Sequence, residues 1–135
     1  MKKVYNIFIP AKGFRAMTVW PFIFVRLEEK RRYGDVDDRH ETIHGCQQKE
    51  MLVIAAVVLI ILLLLGCGWW SLLAIPLFFW WYVIEYVIKL CYYHNATTAY
   101  KNISFEREAF GHQSDIVYLD NRKHFAWIKF LHIRY

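Results

Sequence analysis

The chain has 135 residues, of which 57% are hydrophobic, 19% aromatic and 21% charged, with a net charge of +5. So many Trp, Tyr and Phe exclude intrinsic disorder, and six Gly and three Pro exclude a collagen-like or low-complexity chain. Three cysteines, an odd number, cannot make a secreted disulfide framework.

Residues 1–27 read as a β-rich segment. Two strands are expected, Val4–Pro10 and Met17–Val25, joined by a turn at Ala11-Lys12-Gly13. Pro21 confines the second strand to an edge or splits it. The first 20 residues lack a continuous apolar run, so no cleavable signal peptide is expected. Residues 28–39 form a charged connector.

The residues that carry chemistry follow at once. His40-Glu41-Thr42-Ile43-His44 is an HExxH match. On a helix, positions i and i+4 share a face, so two imidazoles can reach one metal ion. Glu41 then lies beside the position of a metal-bound water. Zinc brings the pKa of such a water toward 7, and a carboxylate can take its proton as it attacks a carbonyl. Asp38 is expected to cap this helix, with Glu41 three residues on as in a capping box. A motif helix over 38–66 is expected to continue directly into a membrane span.

That span begins an apolar block. Met51–Leu65 contains no polar side chain, and Gly66-Cys67-Gly68 forms a tight turn before a second span over 69–93. Trp69, Trp70, Trp80, Trp81, Tyr92 and Tyr93 cluster toward the span ends, where amphipathic rings favour the interface. A buried hairpin in a soluble core is the alternative. It would need every face of the first helix covered, which about 90 further residues hardly achieve. Lys and Arg crowd both flanks of the block and are missing from its turn. Both termini are therefore expected in the cytoplasm, with a bacterial inner membrane as the setting and the lipid bilayer as a partner. Anionic headgroups account for the positive charge, and no nucleic-acid partner is expected. Glu85 and Lys89 in the second span stand four residues apart, the spacing of an intrahelical ion pair.

Beyond the spans, Asn95–Asn102 reads as a polar turn and Ile103–His112 as a short helix. Residues 103–135 as a whole are expected to form a cytoplasmic helical tail, basic and aromatic at its end. A zinc site of the HExxH type takes a further ligand, commonly a carboxylate from a second helix. Glu106 and Glu108 in SFEREAF are the candidates, on the side to which the hairpin returns the chain. Tyr100, His94 and His112 are candidates for stabilising an oxyanion. Cys46 points away from the metal, and Gln47 and Gln48 are free to bond to the site or to headgroups.

With those residues in place, the chain resembles the glutamate-type zinc metallopeptidases (gluzincins), and among them the heat-shock and CAAX-prenyl membrane proteases. His40, Glu41 and His44 match the first helix of that family. Glu106-Arg107-Glu108-Ala109 matches its downstream E-x-x-A element. HETIHGCQQKE is also similar to small bacterial membrane proteins with HExxH followed by QQ. The resemblance covers about 20 residues, and Phe110 replaces an Asp that orients a ligand His in those proteases. It implies Zn2+ held by His40, His44 and Glu106, with Glu41 catalytic and a peptide or membrane-protein substrate.

The fold expected from all this is a mainly α integral membrane domain over 1–135. It comprises a two-helix transmembrane hairpin, a small N-terminal β element and a zincin-like cytoplasmic helix pair. The competing function is a non-catalytic hairpin membrane protein, a pore-forming or partner-anchoring subunit.

Overall fold

In the computed structural model, which describes residues 1–132, the N-terminal segment forms three strands where two were expected. They are β1 (Lys2–Asn6), β2 (Ala16–Val19) and β3 (Phe22–Arg26). Trp20-Pro21 breaks the expected 17–25 strand into a tight hairpin, with Val19 opposite Phe22 in an antiparallel pair. β1 stops at Asn6 because that side chain accepts the N–H groups of Phe8 (2.9 Å) and Ile9 (2.6 Å) and turns the chain. β1 then runs parallel to β3, so the sheet order is β1-β3-β2 and β2 is an edge. Alternation along β3 buries Ile23 and Val25.

Helix α1 spans Asp35–Leu64 and begins three residues before the expected start. Gly34 is its N-cap, and the Asp37 carboxylate accepts the Gly34 N–H at 3.0 Å. Asp35, Asp37 and Asp38 in the first turn all favour the positive end of the helix dipole. Asp38 is therefore not the cap. Its carboxylate accepts from the Tyr33 hydroxyl (3.0 Å) and pairs with Lys3 (2.9 Å). Glu41 is thus released from any capping duty. As expected, α1 runs unbroken through Gly45 from the motif into the apolar stretch. Gly45 lies against the Met1 side chain, whose flexible end would have to move aside for a Cβ there.

α1 ends in a Schellman turn. Gly66 takes a positive φ of 79°, its N–H bonds Leu63 O and the Cys67 N–H bonds Leu62 O, both at 3.0 Å. The return leg is not the straight 69–93 helix expected. A 3-10 segment (Gly68–Ala74) meets α2 (Leu77–Tyr93) at 64°, because Pro76 has no N–H and its ring blocks the preceding turn. α1 is long and apolar enough to cross a membrane, and the bent pair satisfies the same criterion only if taken as one broken span. Between residues 51 and 64 only Met51 and Ala55 of α1 are buried, while Val53 is 63% and Leu64 82% exposed.

The left-handed His94 (φ 51°) closes α2, and Asn95 accepts the Thr98 N–H at 2.9 Å. A short helix α3 (Ala96–Lys101) thus stands where a polar turn was expected. α4 (Ser104–His112) follows within the expected 103–112. The expected helical tail is broken up, into a four-residue α5 (Tyr118–Asn121) and a 3-10 segment (Ala126–Phe130), and its residues 133–135 lie outside those described. It folds back on α4, where Arg107 donates to the carbonyls of Phe130 (2.7 Å) and His132 (2.5 Å). Met51, Phe78, Ile103, Phe105 and Trp127 form the apolar core, with Phe78 and Phe105 stacked at 4.6 Å. This core sits directly below the motif and fixes α4 against α1 and α2.

Candidate metal centre

Three faces of α1 do three different things, and the helical repeat sorts them. His40, His44 and Gln47 (i, i+4, i+7) turn toward α4. Glu41, Gly45 and Gln48 turn toward β2. Cys46, Glu50 and Val53 turn toward the tail, where they help line a cavity of about 400 Å³.

On the first face the two imidazoles converge on Glu106. His40 Nε2 and His44 Nε2 are 3.1 Å apart, and they approach Glu106 Oε2 at 3.5 Å and Oε1 at 3.3 Å. A tetrahedral zinc with bonds of about 2.0–2.1 Å holds its ligand atoms roughly 3.3 Å apart, which is the spacing of these groups. Glu106 Oε1 accepts from the Tyr82 hydroxyl at 2.8 Å. Oε2 is buried with no hydrogen-bond partner among the described residues, an expensive arrangement unless something else fills the place. Two nitrogens and a carboxylate with one oxygen that lacks a hydrogen bond suit a divalent ion such as zinc.

The outer nitrogens of both rings are held as well. His40 Nδ1 lies 3.1 Å from Gln113 Oε1, and His44 Nδ1 lies 2.8 Å from Gln47 Oε1. Amide oxygens only accept, so each Nδ1 carries a proton and each Nε2 faces the cluster. These two glutamines hold the rings in orientation. Phe110, which stands at that position, packs edge-on against His40 at 4.7 Å between ring centroids.

Charge reinforces the geometry. Burial alone would push the His44 imidazolium down, but the Glu106 carboxylate overrides it and holds the group up, at about 9. Glu106 is driven the other way. Burial would raise its carboxyl, yet the two histidines keep it well below the usual carboxylate range. In the metal-free protein a proton on His44 occupies the place where a cation would bind.

Glu41 faces β2, where the Thr18 hydroxyl contacts both its Oε2 (2.8 Å) and its carbonyl (2.9 Å). With His40, Ala16, Phe14, Tyr100 and Gln113 it lines a cavity of about 280 Å³. The sequence left three oxyanion candidates open. Only Tyr100 lines this cavity, and burial and the Glu106 charge both raise its hydroxyl pKa. His94 caps α2, and His112 stacks on Tyr118 at 3.7 Å.

Of the two carboxylates, Glu106 joins the histidines and Glu108 does not. Two residues on a helix are about 200° apart, so Glu108 points to the opposite side. There it accepts from Gln47 (3.0 Å), Tyr118 (2.9 Å) and Arg122 (2.6 Å). Glu85 pairs with Lys89 at 2.6 Å, as the spacing anticipated. It also accepts the Ser104 N–H (2.8 Å) and hydroxyl (2.6 Å), and so caps the helix that carries Glu106. Gln113 and Arg122 escaped the sequence reading. Gln113 was detectable, since it lies seven residues after Glu106 on the same helix face, whereas nothing local marks Arg122.

No family model matches the chain, and no curated protein or solved structure matches it significantly. The resemblance to gluzincins accordingly rests on the motif residues of the sequence alone.

Proposed function

We propose that the chain is a membrane-anchored zinc metallopeptidase acting at the cytoplasmic face of a bacterial inner membrane. The observation that carries this reading is the convergence of His40, His44 and Glu106 at tetrahedral spacing, with Glu106 Oε2 lacking a hydrogen bond and Glu41 lining the adjoining cavity. Zinc, when bound there, supplies an acidified water and a Lewis acid for a peptide carbonyl. Glu41 takes the proton of the attacking water and returns it to the departing amine nitrogen. Thr18 holds one of its oxygens, leaving the other as proton acceptor. Tyr100 is placed to donate its hydroxyl proton to the developing oxyanion.

The edge strand gives the substrate a bed. Backbone alternation along β2 turns the N–H and C=O of Ala16 and Thr18 away from β3. The Gln48 amide occupies part of that edge, taking Thr18 O at 2.7 Å and the Trp20 N–H at 2.7 Å. Ala16, which lines the cavity beside Glu41, is left for an extended peptide to join by main-chain hydrogen bonds. His44 precedes Met51 by seven residues, which sets the metal about 10 Å outside the start of the apolar stretch. Substrates are therefore unfolded or membrane-proximal segments. Anchoring in lipid is supported by the exposed apolar half of α1, since monomeric soluble proteins rarely leave so large a contiguous apolar surface in water.

The test is hydrolysis of an unfolded reporter tethered to the bilayer, by the full chain in proteoliposomes with added zinc. The wild type should cleave it, and Glu41→Gln should not while still holding zinc. Equal cleavage by both proteins would take Glu41 out of the reaction, and no cleavage by the zinc-loaded wild type would favour a non-catalytic hairpin protein.

A further inference from the structure

Glu108 is completely buried, is not a metal ligand, and yet lies one hydrogen bond away from a group that touches a ligand. Every neighbour it has is a donor. Its Oε1 accepts from the Tyr118 hydroxyl and from Arg122 Nε, and its Oε2 accepts from Arg122 Nη2 (3.2 Å) and Gln47 Nε2 (3.0 Å). Arg122 is itself anchored on its far side by Glu50, through contacts of 2.5 and 3.2 Å. Glu108 is thus fixed in position and can only accept.

That decides how Gln47 is oriented. Its amide nitrogen has two N–H groups, and both are spoken for, one by Glu108 Oε2 and one by the Phe105 carbonyl at 3.0 Å. The amide oxygen is left to face His44 Nδ1. An acceptor at that place requires Nδ1–H, and the neutral ring then carries its lone pair on Nε2, toward His40 and Glu106.

We propose that Glu108, held by Arg122, is a positioning residue that sets the tautomer of His44 through the Gln47 amide, and so makes the centre competent to take up metal. This rests on the metal-centre reading given above. The relay does for His44 what the missing Asp at position 110 does in the family this chain resembles, with a different set of residues.

Replacing Glu108 by Gln tests it. In Glu108→Gln an amide oxygen kept on the shorter contacts, Arg122 Nε and the Tyr118 hydroxyl, places the NH2 against Gln47 and Arg122 Nη2. Gln47 then meets a donor in place of its charged acceptor. Turning its oxygen to that NH2, at the cost of the bond to the Phe105 carbonyl, brings its own NH2 to His44 Nδ1. The Nδ1 becomes an acceptor, the proton moves to Nε2, and it points into the place of the metal. Zinc affinity of the full chain, measured by competition with a chromophoric chelator, should fall by about 10–100-fold, the usual cost of losing such outer support. Nitrogen-15 spectra of the imidazoles in the metal-free variant should show the proton of the neutral His44 ring on Nε2. Tyr118→Phe removes one donor but leaves the carboxylate, and its affinity should stay within about twofold of the wild type. Equal zinc affinity in a folded Glu108→Gln protein, or an equal loss in Tyr118→Phe, would overturn the proposal. Should Glu108→Gln fail to fold, the zinc-loaded wild type decides: His44 bound through Nε2 with a protected Nδ1–H supports the relay, and binding through Nδ1 overturns it. A wild type that takes up no zinc would instead defeat the metal-centre reading itself.

Discussion

The two halves of α1 are built on opposite rules. From residue 35 to 50 the helix is polar, yet His40, Glu41, His44, Gln47, Gln48 and Glu50 are all buried. From 51 to 64 it is apolar, yet most of its side chains are exposed. A helix in water alone would do the reverse at both ends. The polar half tolerates burial because its groups find partners: imidazole with carboxylate, Gln48 with a strand edge, Glu50 with Arg122. The apolar half finds no protein to cover it, which is the condition a lipid phase relieves. On the proposed reading, one continuous helix links the candidate metal centre to a bilayer, and its rigidity sets the distance between them.

The sharpest break between the halves is chemical. Glu41→Gln is nearly isosteric, and the side chain is held by Thr18, so fold and metal should survive. Hydrolysis should drop by about 10²–10⁴-fold, the range for removing a positioned acid–base group, when turnover is compared at equal zinc content. Loss of metal in that variant would show that Glu41 belongs to the ligand set instead.

A charge placed in each half separates their solvents. Val57 and Val36 are both exposed, at 53% and 41%. Val57→Asp should oppose membrane integration by about 2.5–3.5 kcal/mol, whereas Val36→Asp in the first turn should change stability by no more than about 0.5 kcal/mol. The fractions integrated and extracted by carbonate measure the first effect, and thermal unfolding in detergent measures the second. Equal, small effects at both positions would mean that the apolar half also faces water. The proposed topology predicts that Cys67, in the turn after α1, reacts with an impermeant thiol reagent from outside, and that Cys46 reacts only after the membrane is opened.

The polar half should also carry a pH signature. The His44 proton is held above its ordinary 6.5 and the Glu106 carboxyl is held below its ordinary 4.5, by one and the same pair. The pair's contribution to the metal-free fold is present above about pH 4.5 and fully so below about 6.5, and it fades as pH rises through about 9. Zinc displaces that proton, so its affinity should climb by up to about tenfold per pH unit between 7 and 9, with roughly one proton released per ion. Melting curves of the metal-free protein and calorimetric titrations in two buffers check the two trends. A flat affinity over that range would remove the ion pair from the account. The smallest effect concerns the strand edge. Gln48→Ala should cost about 1–3 kcal/mol of stability through the unpaired Thr18 carbonyl and Trp20 N–H, with zinc affinity unchanged.

Much of this was legible in the chain because the strongest signals are local. Fifteen apolar residues in a row, HExxH at i, i+4, and Glu106 on a helix beyond the apolar block are all readable from short stretches of sequence. Asp38 was misread as the cap because two more Asp residues stand nearby, and Gly34 with Asp37 closes the turn earlier. Pro76 announced a break in the return leg, but a rule of apolar length overlooks it. The relay from Gln47 to Arg122 spans 75 residues and depends on how the tail folds back, which no spacing rule encodes. The separate duties of Gln47 and Gln48 became distinguishable only when one faced a helix and the other a strand.

The most direct test is the metal content of the full chain, purified in detergent with zinc present and without chelators. The account predicts one zinc per chain in the wild type and in Glu41→Gln, and little or none in His40→Ala, His44→Ala and Glu106→Ala. Wild type without zinc, or His44→Ala protein that holds as much as the wild type, would contradict it.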